Sequence, residues 1–210
     1  MINVMIVEDD PMAQKLLEIF VDGNSGYQVA TTIESAAMAE VYCMTNPIDL
    51  ILMDVCTAMN VSGLEAAEKI KRHFPHIKII IITSQPECSF IDRARAVGVE
   101  SFWYKTASAE EILTVMDRTM AGESIYPDST PSLKLGNVLS QTFTKREIEV
   151  LRLVVAGETD AAIAEKLFLS LRTVKQHIQS MRDKTGFRNR TELAVRARES
   201  GLVINNQNNE

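Results

Sequence analysis

The segment Ile48-Asp49-Leu50-Ile51-Leu52-Met53-Asp54 constrains the fold more than any other stretch. Its run of four apolar residues shows no alternation, which marks a strand buried on both faces, as in a parallel sheet covered by helices. A carboxylate follows at once, and open α/β sheets bind ligands in the crevice just past their strand ends. Two further runs finish in the same way. Asn3-Val4-Met5-Ile6-Val7 gives way to Glu8-Asp9-Asp10, and Ile79-Ile80-Ile81-Ile82 gives way to Thr83-Ser84. A fourth, Ser101 to Tyr104, ends on Lys105. Carboxylates, a hydroxyl and an amine therefore converge on one sheet edge around Asp54.

Strand-like runs near 2–7, 27–32, 48–53, 77–82 and 100–104 alternate with helical patterns near 12–22, 35–45, 63–74, 87–97 and 108–121. This order predicts an α/β domain over 1–122, with a parallel sheet and right-handed crossovers. Ser62-Gly63-Leu64-Glu65 and Ser108-Ala109-Glu110-Glu111 read as capping boxes that open helices. The pattern lapses over 123–142, where Tyr126-Pro127-Asp128-Ser129-Thr130-Pro131-Ser132 is rich in turn residues, so a linker is expected there. Residues 143–203 hold only helical patterns, near 144–156, 159–167, 170–184 and 190–200, and predict an all-α domain of four helices. Thr144-Lys145-Arg146-Glu147 and Asn189-Arg190-Thr191-Glu192 are two more capping signatures. Residues 204–210 are expected to be a frayed tail.

Charge divides along the same boundary. Residues 1–122 carry 9 Lys/Arg against 17 Asp/Glu, a balance of −8, whereas 143–210 carry 12 against 9, a balance of +3. Within 166–190 seven basic side chains face Asp183 alone. An acidic half and a locally basic segment predict two jobs, one of them on nucleic acid. No leader-like segment opens the chain and no apolar run reaches bilayer-spanning length, so a cytoplasmic protein without a membrane partner is expected. Cys43, Cys56 and Cys88 are odd in number and lack metal-ligand spacing, which predicts reduced structural thiols. Met38, Met44, Met116 and Met120 are expected in helix cores.

Carboxylates meeting at strand ends repel one another unless a cation offsets them. Hard oxygen donors favour Mg²⁺ or a similar ion. A metal-held phosphoryl group needs further positive charge and a donor, which Lys105 and Thr83 supply. Val7-Glu8-Asp9-Asp10-Pro11, Leu52-Met53-Asp54-Val55, Ile82-Thr83-Ser84 and Tyr104-Lys105 together resemble the receiver domains of two-component response regulators. The resemblance implies a flavodoxin-like five-stranded parallel sheet in the order 2-1-3-4-5, with Asp54 as phosphoacceptor. It also implies that Asp9 and Asp54 hold Mg²⁺, with Glu8 acting through water and the Cys56 carbonyl completing the set. Thr83 and Lys105 would contact phosphoryl oxygens, and Phe102 occupies the aromatic switch position. Ala58 and Ser62 stand where the family usually has proline and glycine, and Gly63 comes one residue late, so the loop after Asp54 is a residue longer. Thr106 replaces the usual proline or acid after the lysine, and Phe102 lacks the commoner tyrosine hydroxyl.

The helices near 159–167 and from Ser170, joined by Phe168-Leu169, form a helix-turn-helix whose second helix can enter a major groove. In that helix Val174, Ile178 and Met181 share a buried face, while Lys175, Gln176, Gln179 and Arg182 lie away from it. Residues 144–151, 163–170, 173–178 and 188–192 resemble the LuxR-type domain of the NarL/FixJ response regulators. The resemblance implies double-stranded DNA as a partner, with Lys175, Gln176 and Gln179 at base edges and Arg172, Thr173 and Arg190 at phosphates. Lys145 and Asp160-Ala161-Ala162 depart from the family pattern. The expected function is a DNA-binding response regulator, not an enzyme: a sensor histidine kinase phosphorylates Asp54, and the protein then forms a homodimer and binds its operator. The alternatives are a phosphorylation-independent DNA-binding regulator and a metal-dependent phosphotransferase acting on a small substrate.

Overall fold

Strands β1 (Ile2–Val7) and β3 (Leu50–Asp54) lie side by side in parallel, with Val4 opposite Leu50 and Val7 opposite Met53. Every residue of β3 is buried, as an unbroken apolar run requires. The computed structural model describes all residues except Cys88, 106–108, Ser129 and 204–210, and only the backbone of Ala109 and Glu110. The 108–111 capping signature, the Thr106 departure and the expected tail lie outside the described residues. The chain divides into two compact units, Met1–Ser84 with Phe90–Ser129, and Gln85–Ser89 with Thr130–Glu210.

In the first unit the chain runs through β1, α1 (Pro11–Asp22), β2 (Tyr27–Ile33), a short 3₁₀ turn, α2 (Ala39–Thr45) and β3. A small ribbon follows, β4 (Cys56–Thr57) and β5 (Val61–Ser62), and then α3 (Gly63–His73), β6 (Lys78–Thr83), α4 (Ser89–Val97), β7 (Ser101–Tyr104) and α5 (Ala109–Met120). The five long strands form one parallel sheet ordered β2-β1-β3-β6-β7, which is the 2-1-3-4-5 order of the doubly wound fold. Val4, Ile6, Leu50, Leu52, Ile80 and Ile82 point to one face, where they pack on Leu17 and Val21 of α1 and on Ile112 and Met116 of α5. This arrangement turns the C-terminal ends of β1, β3, β6 and β7 toward one rim.

Asp10 caps α1 by accepting from the Met12 and Ala13 amides at 2.8 and 2.9 Å. Ser62 caps α3 through the Glu65 amide at 3.4 Å. Met116 is buried, as its helical spacing predicts, but Met38 and Met44 are 47% and 62% exposed. Helix α2 is shorter than the pattern suggested, because its first turn is 3₁₀, and both methionines fall outside its packed side.

The extra residue after Asp54 is absorbed in the ribbon. Met59 and Asn60 turn back through left-handed conformations (φ 62° and 56°), and β4 pairs antiparallel with β5. Thr57 Oγ1 donates to the Val61 carbonyl at 2.7 Å and accepts from the Ala36 amide at 3.0 Å. Ser35 Oγ donates to the Ala58 carbonyl at 3.1 Å. The longer loop is therefore tied to the loop after β2. Gly63 then passes so close to the end of β3 that a Cβ there would lie 1.8 Å from the Asp54 carbonyl oxygen. Its amide donates to the Val55 carbonyl at 2.9 Å.

The second unit holds α6 (Lys145–Val155), α7 (Asp160–Lys166), α8 (Leu171–Thr185) and α9 (Arg190–Glu199) around one core that includes Ile148, Leu151, Ile163, Val174, Ile178, Met181 and Leu193. Thr144 and Glu147 make a complete capping box, and Thr159, Ser170 and Asn189 cap the other three helices. The segment 123–142, expected to be a linker, is partly structured. Ile125 packs on the core of the first unit, and its carbonyl accepts from the Phe102 amide at 2.8 Å. Strands β8 (Lys134–Leu135) and β9 (Val138–Leu139) form a hairpin that buries Leu135 in the helical core. Two-residue strands leave no periodicity to read. The glycine at their turn, Gly136 (φ +60°), has no room for a Cβ, which would meet the Thr185 carbonyl at 2.2 Å.

Gly63→Ala should destabilise the first unit by about 3 kcal/mol or more, because the added methyl meets backbone that cannot yield cheaply. Urea unfolding of the full chain, followed by Trp103 fluorescence, measures this; an unchanged midpoint would show that Gly63 is not packed against the end of β3.

Candidate functional site

The rim above β1, β3, β6 and β7 gathers the side chains that the strand ends deliver. Glu8 and Asp54 are 1% and 7% exposed, whereas Asp9 opens to solvent. Each of the three brings one carboxylate oxygen within 4.8 Å of the others. Lys105 Nζ lies 3.1 Å from Asp54 Oδ2 and also donates to Glu8 Oε2. The Val55 amide donates to Asp54 Oδ1 at 2.8 Å, and the Asp10 amide to Glu8 Oε1 at 3.2 Å. Thr83, the last residue of β6, is buried, and its carbonyl accepts from the Lys105 amide at 2.9 Å. Cys56 begins β4 two residues beyond Asp54, half-buried, and forms no disulfide with Cys43. The structure thus brings together the side chains of Glu8, Asp9, Asp54 and Lys105, with Thr83 at the adjoining strand end.

One amine among three carboxylates leaves the pocket short of positive charge. Burial pushes the Asp54 carboxyl up to about 7; Lys105 pulls it down, and the neighbouring Glu8 charge pushes it further up. Burial works against the Lys105 ammonium too, but the charges and hydrogen bonds of Asp54 and Glu8 outweigh it and raise its pKa. Three acidic oxygen donors so close together fit a hard cation.

Phe102, at the aromatic switch position, lies inside, 1% exposed and edge-on to Tyr104 at a centroid distance of 5.0 Å. A tyrosine at this position would bring a hydroxyl that needs a partner or water, and phenylalanine has no such need.

The second unit presents a different surface. Helices α7 and α8 with the turn between them form the helix-turn-helix, and Val174, Ile178, Met181 and Thr185 bury one face of α8. Arg172, Lys175, Gln176 and Gln179 stand exposed on the other. Among the described residues the side chains of Arg172, Lys175 and Gln176 make no hydrogen bond or ion pair within the protein. Gln179 is clasped, donating to Asp183 at 2.7 Å and accepting from Arg182 at 3.1 Å. Thr173 shares a hydrogen bond of 2.7 Å with the capping Ser170. Arg190 donates to the Asp160 carboxylate and the Glu158 carbonyl, so in this structure it braces α9 against the start of α7.

Sequence reasoning missed two residues here. Glu147 was read as half of a capping box, yet its buried carboxylate also accepts from Ser180 at 2.8 Å and from Lys184 at 2.8 and 2.7 Å, which fixes α8 to α6. The separations of 33 and 37 residues between these partners carry no local signal. Leu171, the first residue of α8, is 46% exposed and lines one shallow depression with Arg172, Lys175, Gln176 and Gln179.

A doubly wound domain with an acidic strand-end pocket, in one chain with a helix-turn-helix domain, defines a signal-receiving DNA-binding regulator. The family model described as "Response regulator receiver domain" matches residues 4–117, and that described as "Bacterial regulatory proteins, luxR family" matches residues 141–197. The chain is 29% identical over 209 residues to the response regulator protein VraR of Staphylococcus aureus, covering 96% of this chain and 99% of that protein. Among solved structures it is similar to RcsB dimers bound to two parallel DNAs, with TM-score 0.63, 20% identity, and coverage of 93% and 97% of the two chains. It is also similar to ChrA of a heme-sensing two-component system, with TM-score 0.52, 22% identity, and coverage of 96% and 98%. At such identity these two likenesses speak to the fold. The chain belongs to the response regulator family, with a receiver domain followed by a LuxR-type DNA-binding domain.

The raised Asp54 pKa fixes the sign of a stability effect. The unfolded carboxyl ionises near 3.8 and the folded one near 7, so its contribution is fully present below about pH 4 and drains away as pH rises to about 7. Asp54→Asn, which cannot ionise, should therefore be more stable than wild type at pH 8 by about 1–3 kcal/mol, the gap closing toward pH 4. Thermal unfolding in metal-free buffer across that range measures it; a less stable variant at pH 8 would show that Lys105 outweighs burial.

Proposed function

We propose that Asp54 is the phosphoacceptor and that its phosphorylation by a sensor histidine kinase promotes dimerisation and operator binding. The observation that carries this reading is the buried Asp54 carboxylate, set between one amine and two further carboxylates at the mouth of the sheet. An Asp54 oxygen would attack the phosphorus of a phosphohistidine, forming an O–P bond as the N–P bond breaks and the imidazole leaves. Lys105 and Thr83 would contact the arriving phosphoryl oxygens. Glu8, Asp9, Asp54 and the Cys56 carbonyl would hold Mg²⁺, which when bound offsets the carboxylate charge and the charge on the phosphoryl group. A carboxyl held near 7 is a poor nucleophile until it is ionised, so the same charge balance governs reactivity.

On DNA, Lys175, Gln176 and Gln179 would meet base edges, with Arg172 and Thr173 at phosphates. Gln179 must first release Asp183 and Arg182, and Arg190 must release Asp160 if it is to reach a phosphate. For the dimer, one candidate face is formed by α4, β7 and α5. No described residue of that face is a large exposed apolar side chain, whereas α1 carries three: Met12, Leu16 and Ile19, 83%, 50% and 57% exposed. They recur at helical spacing, and a second receiver would cover them.

Incubation with acetyl phosphate and Mg²⁺ should add the mass of one phosphoryl group to the wild type and none to Asp54→Asn, and EDTA should abolish the gain. Labelling of Asp54→Asn, or labelling in EDTA, would overturn the assignment. Leu16→Glu with Ile19→Glu should leave phosphorylation intact but keep the phosphorylated protein monomeric by light scattering; an unimpaired dimer would move the partner face elsewhere.

A further inference from the structure

Leu171 presents an unpaired apolar group in the midst of the polar reading surface. It is the first residue of α8, directly after the capping Ser170. The N-terminal residues of a recognition helix are those that reach base edges most directly. Helical periodicity sets Leu171 beside the buried face of Val174 and Ile178, where the body of a globular helix would cover it. Here the core stops short of it, and Leu171 remains 46% exposed. A single exposed leucine elsewhere on a protein needs no explanation. This one lies between two shallow depressions: the first it lines with Arg172, Gln176 and Gln179, the second with Asp160 and Arg190, and Lys175 lines both.

The chemistry of the major groove narrows what such a group can meet. Base edges there offer hydrogen-bond donors and acceptors, which suit Lys175 and the glutamines. The one apolar feature is the C5-methyl group of thymine. We infer that Leu171 is a specificity-determining residue that selects a thymine through its methyl group, beside the bases met by Lys175 and Gln176. This inference rests on the DNA-binding reading of α8 given above. The contact discriminates thymine from cytosine without using any hydrogen bond, and it is independent of the salt-sensitive phosphate contacts that set overall affinity.

The test uses the full-length phosphorylated protein and two duplex pools with the same randomised central segment, one built with thymidine and the other with deoxyuridine, which lacks only the methyl. Wild type should enrich thymine at one position of each half-site in the thymidine pool and lose that preference in the deoxyuridine pool, while its other preferences persist. On the selected duplex, replacing that thymine by deoxyuridine should weaken wild type about fourfold, the worth of one buried methyl group. Leu171→Ala should bind both duplexes equally, and Leu171→Met, which keeps apolar reach, should retain part of the ratio. Thermal unfolding confirms that both variants fold. An unchanged thymidine-to-deoxyuridine ratio in Leu171→Ala, or identical preferences from both pools in wild type, overturns the inference while leaving DNA binding intact. Failure of wild type to enrich any sequence overturns the DNA-binding reading and this inference with it.

Discussion

The receiver is organised by an electrostatic shortage at the ends of its strands. Two buried carboxylates share the Lys105 amine with an open third beside them, and neither burial nor Lys105 alone settles the balance. Burying charges costs several kcal/mol per ion unless partners repay it, and here the repayment is incomplete. The parallel sheet imposes this crowding, because β1, β3, β6 and β7 each deliver their last residues to one rim. The packing elsewhere serves that end. The apolar runs bury the sheet on both faces, and Gly63 lets α3 begin in contact with the Asp54 carbonyl.

The DNA-binding domain solves the opposite problem. Its polar node is saturated: Glu147 is buried, but Lys184, Ser180 and Thr144 all donate to it and hold its pKa down against the effect of burial. The node and the apolar contacts of Val174, Ile178 and Met181 fix the orientation of α8 before DNA is present. Arg172, Lys175, Gln176 and Leu171 are thereby left outward on a rigid helix. Pre-ordering of this kind lowers the entropic cost of binding.

Much of this was legible in the chain. Unbroken apolar runs ending on Asp54, Thr83 and Lys105 gave the sheet and the pocket, because strand periodicity and strand-end chemistry are local. The helix-turn-helix was legible for the same reason, from caps and the spacing of Val174, Ile178 and Met181. Features fixed by tertiary contact were not. The β8–β9 hairpin is too short to have a period, and it exists because Leu135 finds the helical core. The burial of Phe102 and the exposure of Met38 and Met44 depend on how neighbouring elements pack. The exposure of Leu171, at helical spacing from Val174 and Ile178, depends on how far the core extends.

The position of Phe102 bears on how a phosphoryl signal leaves the pocket. A modification shifts an equilibrium only by the difference in its free energy between two states. Phe102 lies inside, packed edge-on against Tyr104. The pocket has another physical outlet. Glu8, which shares Lys105 with Asp54, also accepts from the Asp10 amide, and Asp10 caps the first turn of α1. That helix carries the exposed stripe of Met12, Leu16 and Ile19. If Asp54 is phosphorylated as proposed, Lys105 would turn to the phosphoryl group and its hold on Glu8 would weaken, one hydrogen bond away from the capping Asp10. Contiguity of this kind does not by itself establish coupling, which requires that both ends bias one element. Helix α1 joins the two by contiguity: its cap touches the pocket, and its outer face carries the exposed apolar stripe on which the proposed dimer would close.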